Sequence, residues 1–133
     1  MIYLTAYIAT TVAFLVFDFV WLAFIAKKFY RTQLGSLMKE KVNFLIAGGF
    51  YAVFTIGIVY FAVAPALETQ EWQLAMINGA LFGFFTYATY DLTNMATIRD
   101  WPAKMSIVDM AWGTSLTSAT ATMGYLTTRA LIS

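Results

Sequence analysis

The chain contains no cysteine and no histidine. Without cysteine there is no disulfide, no thiolate nucleophile and no iron–sulfur ligation. Without histidine, the commonest metal ligand and the usual general base near pH 7 are missing. Charge is scarce as well: charged residues make up 11% of the sequence and leave a formal net charge of +1, against about 25% charged residues in a typical soluble domain. Neither a basic stripe nor a basic excess gives reason to expect a nucleic-acid partner. Chemistry in this chain therefore falls to carboxylates, carboxamides, hydroxyls and aromatic rings. No metal motif is present, and the sequence names no cofactor.

What is present is apolar. Hydrophobic residues make up 61% of the 133 residues, and the mean hydropathy is +0.71. Crossing a hydrocarbon layer takes about 20 residues per helix, so the expected fold is an all-α integral membrane four-helix bundle forming one membrane domain over residues 1–133. The first helix is expected over residues 2–26, broken in polarity only by Asp18 and followed by Lys27, Lys28 and Arg31. It lacks the basic residues before the apolar core that a cleaved signal peptide carries. The second is expected over residues 42–64, ending before Pro65. Its Gly49, Val53 and Gly57, with Gly48 and Ala52, predict a face open to close helix packing. The third, over residues 73–97, has a small-residue ridge at Ala75, Gly79 and Gly83 that continues through Tyr87 to Asp91. The fourth is expected from Pro102, a residue favoured in a first helical turn, to residue 128. Its Ser, Thr, Ala and Gly content suits a bundle interior or protein interface better than a lipid-facing position.

Seven of the eight basic residues fall in the connections after the first and third helices, and only Arg129 lies on the other side. By the positive-inside rule both termini are expected on the non-cytoplasmic side. Three aspartates then come to one depth in the cytoplasmic half. At about 1.5 Å of rise per residue, Asp18 lies roughly 12 Å, Asp91 roughly 9 Å and Asp109 roughly 10 Å from that surface. Each costs about 2.5 to 3.5 kcal/mol at a helix centre on an insertion scale, and somewhat less at this depth. Three carboxylates in one dry layer need protons, a cation, or Arg99 and Lys104 to compensate them.

The neighbours are suited to a pocket. Asp18 and Trp21 are three residues apart, Asp109 and Trp112 repeat that spacing, and Tyr87, Tyr90, Asp91 and Asn94 share an arc of one helix. Asp18, Asp91, Asp109, Asn94, Tyr87, Tyr90, Trp21 and Trp112 are the candidate proton, cation or ligand site, with Arg99 and Lys104 as phosphate or head-group contacts. Simpler roles fit the same residues one at a time. A lone intramembrane aspartate is often a hydrogen-bonding partner, and indoles belong to interfacial aromatic belts.

The runs Tyr90-Asp91-Leu92-Thr93-Asn94 and Asp109-Met110-Ala111-Trp112-Gly113, with Ala96, Thr97, Trp101, Asp18, Trp21 and Leu22, resemble a family of small bacterial integral membrane proteins classed as a domain of unknown function. The resemblance covers essentially the whole chain. It implies a four-span, multi-pass protein of the bacterial inner membrane, and it brings no activity with it. Three functions remain open from the residues: proton- or cation-linked transport of a small solute, a membrane-embedded enzyme acting on a lipid or isoprenoid, and a non-catalytic ligand-binding or accessory subunit. Beyond the lipid bilayer, the expected partner is a second copy in a homodimer, or a larger membrane complex.

Overall fold

The computed structural model describes residues 1–39, 41 and 43–132. The expected start of the second helix at residue 42 lies outside the described residues. The described chain is helical throughout, in four rods. The first rod comprises α1 (Ile2–Val20), a π-helical turn (Trp21–Ala26), α2 (Lys27–Leu34) and a 3-10 turn (Gly35–Leu37). The second comprises α3 (Phe44–Ile58), a π-helical turn (Val59–Val63) and α4 (Ala64–Thr69). The third is α5 (Trp72–Thr97) and the fourth is α6 (Ala103–Ile132).

Two rods differ from the sequence expectation in the same way. The first does not stop at residue 26 but runs on to Leu37, so much of the expected basic connection is helix. The second does not stop at residue 64 but passes through Pro65 to Thr69. Proline removes a backbone donor and its ring crowds the carbonyl four residues earlier, here that of Phe61. The π-helical turn loosens the helix at that point, and Asn78 of α5 donates its side-chain Nδ2 to the Phe61 carbonyl at 3.1 Å. The orphaned acceptor is thus satisfied from a neighbouring helix.

The bundle is built around α6, which packs against both α5 and α1. Small residues set the spacing. A methyl group added at Gly79 would lie 2.8 Å from the Thr117 carbonyl oxygen, and one at Gly83 would lie 2.7 Å from the Thr117 side chain. On the other side of α6, Gly124 makes room for Thr10 of α1, and Gly113 makes room for the Tyr87 ring. Ser118 ties the pair together by donating to the Met76 carbonyl of α5 at 2.9 Å. Other hydroxyls on α6, including those of Thr114, Ser115 and Thr122, donate to carbonyls of their own helix. Such back-bonding removes the need for an outside partner.

The expected small-residue face of the second rod packs only in part. Gly57 meets the Phe82 ring, whereas Gly48 and Gly49 have nothing within 4 Å of an added methyl, and Val53 is 69% exposed. The face that α3 buries runs instead through Phe54, Thr55 and Ile58. Phe54 contacts the rings of Phe14, Phe50 and Phe82, and large rings make more dispersion contact than a glycine groove does.

The outside of the molecule is apolar, with Leu45 at 87% and Phe44 at 79% exposure. Ile2–Leu37 and Phe44–Thr69 are long and apolar enough to cross a membrane. Most of the buried polar side chains among the described residues are on α5 and α6 (Asp91, Ser106, Thr117, Thr120 and Thr128), with Thr10 and Asp18 on α1 and Thr55 on α3.

Replacement of Gly83 by Val is expected to destabilise the bundle by about 1–3 kcal/mol, as overpacking does. Gly48→Ala is expected to be neutral or stabilising by up to about 1 kcal/mol. Unfolding of both variants in mixed micelles is the measurement; a tolerated Gly83→Val would mean that α5 and α6 do not pack this closely.

Candidate functional site

Each aspartate reaches its position through the packing of its helix. α1 buries Ala6, Thr10, Phe14 and Asp18, a row with four-residue spacing. Asp18 therefore continues the ridge that Phe14 anchors against Tyr51 and Phe54. The Tyr51 hydroxyl donates to Asp18 Oδ2 at 2.5 Å. On α6, Asp109 accepts from the Tyr30 hydroxyl at 2.7 Å.

The contact with Tyr30 depends on the π-helical turn. In an uninterrupted α-helix, Tyr30 would stand about 120° around the axis from Asp18. A π-helical turn absorbs one extra residue and cuts that angle to about 20°. Tyr30 and Asp18 then face the same interior.

Between them the indoles of Trp21 and Trp112 stack with centroids 4.3 Å apart and an interplanar angle of 8°. The two Asp-x-x-Trp segments thus meet each other. A cavity of about 210 Å³ is lined by Asp18, Trp21, Leu22, Tyr30, Ala47, Phe50, Tyr51, Tyr87, Asp109 and Trp112. A second, of about 460 Å³, is lined by Phe50, Phe54, Thr86, Tyr87, Tyr90 and Asp109. Phe50, Tyr87 and Asp109 belong to both walls. Among the described residues, no lysine or arginine lines either cavity.

Asp91 is placed differently. It is fully buried on α5, and neither carboxyl oxygen has a hydrogen-bond partner among the described residues. Asp18 and Asp109 share the walls of the smaller cavity, whereas Asp91 lines neither cavity. Among the described residues no group of three or more His, Cys, Asp or Glu side chains is placed to hold a metal ion.

The remaining expected residues separate into near and far. Tyr87 sits at the junction of the two cavities, against Gly113. Tyr90 lines the larger cavity and packs edge-on against Trp101 at 5.8 Å. Asn94, half-buried, lines neither cavity. Arg99 and Lys104 are exposed and line neither. Trp101 instead donates its indole N–H to Ser106 Oγ at 2.8 Å at the start of α6.

Tyr30, Tyr51 and Phe50 are site residues that the sequence reading missed. For Tyr51 a signal existed: nine residues into the second apolar run, it lies roughly 13 Å deep, the layer of the aspartates. No comparable signal existed for Tyr30, whose place follows from the helical course of residues 27–37 and the π-helical turn.

A family model described as "Predicted membrane protein (DUF2177)" matches residues 3–126. The chain belongs to this family. The match takes in every site residue from Asp18 to Trp112, so the DUF2177 portion contains all three aspartates and both indoles. No curated protein and no solved structure matches the chain.

Tyr51→Phe leaves Asp18 without its donor and is expected to lower stability by about 1–3 kcal/mol. Asp91→Asn removes a buried carboxyl that has no partner to lose, so stability is expected to hold or rise. Thermal unfolding of the two variants beside the parent checks this. A large loss for Asp91→Asn would give Asp91 a structural role.

Proposed function

We propose that this protein binds a small cation, or protons, in the membrane and transports it, with Asp18, Asp109 and Asp91 as the exchanging groups. One observation carries the reading: two carboxylates line a ring-walled cavity to which no basic side chain contributes. Intramembrane carboxylates without a basic partner commonly mark ion and proton pathways. Asp18 and Asp109 take the solute, and Asp91, buried on α5, holds a proton against it.

The same reading places four spans in a bacterial inner membrane, with both termini outside the cytoplasm. At about 1.5 Å per residue, α5 and α6 are long enough to cross about 30 Å of hydrocarbon, and Asp91, Ser106, Thr117, Thr120 and Thr128 turn inward. The basic residues after the first and third rods then face the cytoplasm. A homodimer belongs with this arrangement, formed where Gly48 and Gly49 of α3 face open space.

An enzyme acting on a lipid or isoprenoid phosphate is less well supported. It would use Arg99 and Lys104, which stand apart from both cavities. Nor does any observation favour an accessory subunit.

Vesicles reconstituted with the purified protein and loaded with a pH dye test the transport reading, using inward gradients of inorganic and organic monovalent cations. Cation-driven proton movement is expected from the parent protein and is expected to fall at least tenfold with Asp109→Asn. Rates no higher than those of empty vesicles, or an active Asp109→Asn protein, would sink the proposal.

A further inference from the structure

Resting on the transport reading, we infer that the solute is an organic ammonium ion with an apolar body rather than a metal ion. The inference comes from what surrounds the two acids. The walls of the smaller cavity present the rings of Trp21, Trp112, Tyr30, Tyr51, Tyr87 and Phe50. Aromatic faces attract cations through their quadrupole, most strongly where water is excluded, and rings around a quaternary ammonium group are a recurring recognition mode.

Inorganic cations need a different site. Calcium takes six to eight oxygen ligands, and magnesium demands a near-octahedral oxygen shell and gives up its water reluctantly. The smaller cavity supplies two carboxyl groups whose nearest hydrogen-bonding partners are phenols that already donate to them. A weakly hydrated organic cation needs no such shell and can replace its water with rings.

Size and shape point the same way. The smaller cavity, about 210 Å³, has room for a methylated or primary ammonium head. The adjoining cavity of about 460 Å³ is lined by Phe54, Thr86 and Tyr90 beyond the shared wall, and Asp109 is its only acid among the described residues. It suits the apolar part of the same molecule. Asp109, common to both cavities, sits where head and body join.

A second observation, independent of the acid pair, supports a ligand here. Asp91 is fully buried on the same helix as Tyr87, a residue of both cavity walls, and neither of its carboxyl oxygens has a partner among the described residues. The indole N–H groups of Trp21 and Trp112 are also without partners among the described residues. The polar groups at the site thus exceed the partners that the described residues supply them.

The test is binding of benzyltrimethylammonium to the full chain in mild detergent, read by tryptophan fluorescence and calorimetry. Its neutral carbon isostere, neopentylbenzene, and potassium chloride at equal ionic strength serve as controls. Saturable binding of the ammonium ion, at least tenfold tighter than either control, is expected. Affinity is expected to fall at least tenfold in Asp109→Asn and in Trp112→Leu, to be largely kept in Asp109→Glu, and to be unchanged in Asp100→Asn, an exposed acid away from the site. Equal response to the neutral isostere in the unsubstituted protein would overturn the inference without reliance on any variant. Absence of ammonium binding while potassium still drives Asp109-dependent proton movement in vesicles would overturn the solute class and leave transport standing. Failure of both binding and proton movement would overturn transport as well.

Discussion

The close approach of α5 to α6 is the constraint on which the rest of the structure depends. Gly79 and Gly83 bring the two backbones together along Thr117 and Ser118, with no room for a methyl group at either glycine. Small residues are how membrane helices gain packing contact when lipid is as apolar as any side chain. The consequences extend along the same row of α5. Its next members are Tyr87, which settles over Gly113, and Asp91, which is fully buried. A wider separation would leave Asp91 facing lipid or a gap.

Around that contact the polar groups are arranged from the inside outward. Hydroxyls such as those of Thr86, Thr114 and Thr122 satisfy themselves on their own helices. Asp18 and Asp109 each receive a phenol from a different rod, Tyr51 and Tyr30 respectively. Asp91 receives nothing. A buried carboxyl with no donor costs free energy that a structural role would not ask of it, and this imbalance sets it apart from the other two aspartates. The π-helical turn at Trp21–Ala26 works toward the same end by rotating Tyr30 inward, and such turns often occur at functional sites.

Much of this was readable before any coordinates. The ridge Ala75, Gly79, Gly83 leading to Asp91 followed from four-residue spacing, and all four residues are buried. The matched Asp-x-x-Trp segments suggested an indole beside each acid, and the structure adds that the two indoles stack on each other. Other parts were not readable. Gly48 and Gly49 begin rows with the same four-residue spacing as the α5 ridge yet face open space. Spacing describes a face, and only the neighbours decide whether that face is used. Arg99 and Lys104 lie close in sequence to Asp91 and Asp109 but outside both cavities, since Arg99 stands in the turn after α5 and Lys104 lies exposed in the first turn of α6.

The sequence by itself determined the medium and the architecture: a chain this apolar, with so few charges, in helices. Transfer free energy and helical period are sums over residues in order, so they can be taken from the order alone. It also supplied an expected depth for each acid, from a rise of about 1.5 Å per residue. Only the tertiary structure decided which groups at that depth meet. Rotation about each helix axis, the extra residue held in a π-helical turn and the few ångströms of separation that glycine permits are set between helices rather than along the chain. Those quantities brought Asp18 and Asp109 to one cavity, with Tyr51 and Tyr30 donating to them, and left Asp91 buried without a partner among the described residues.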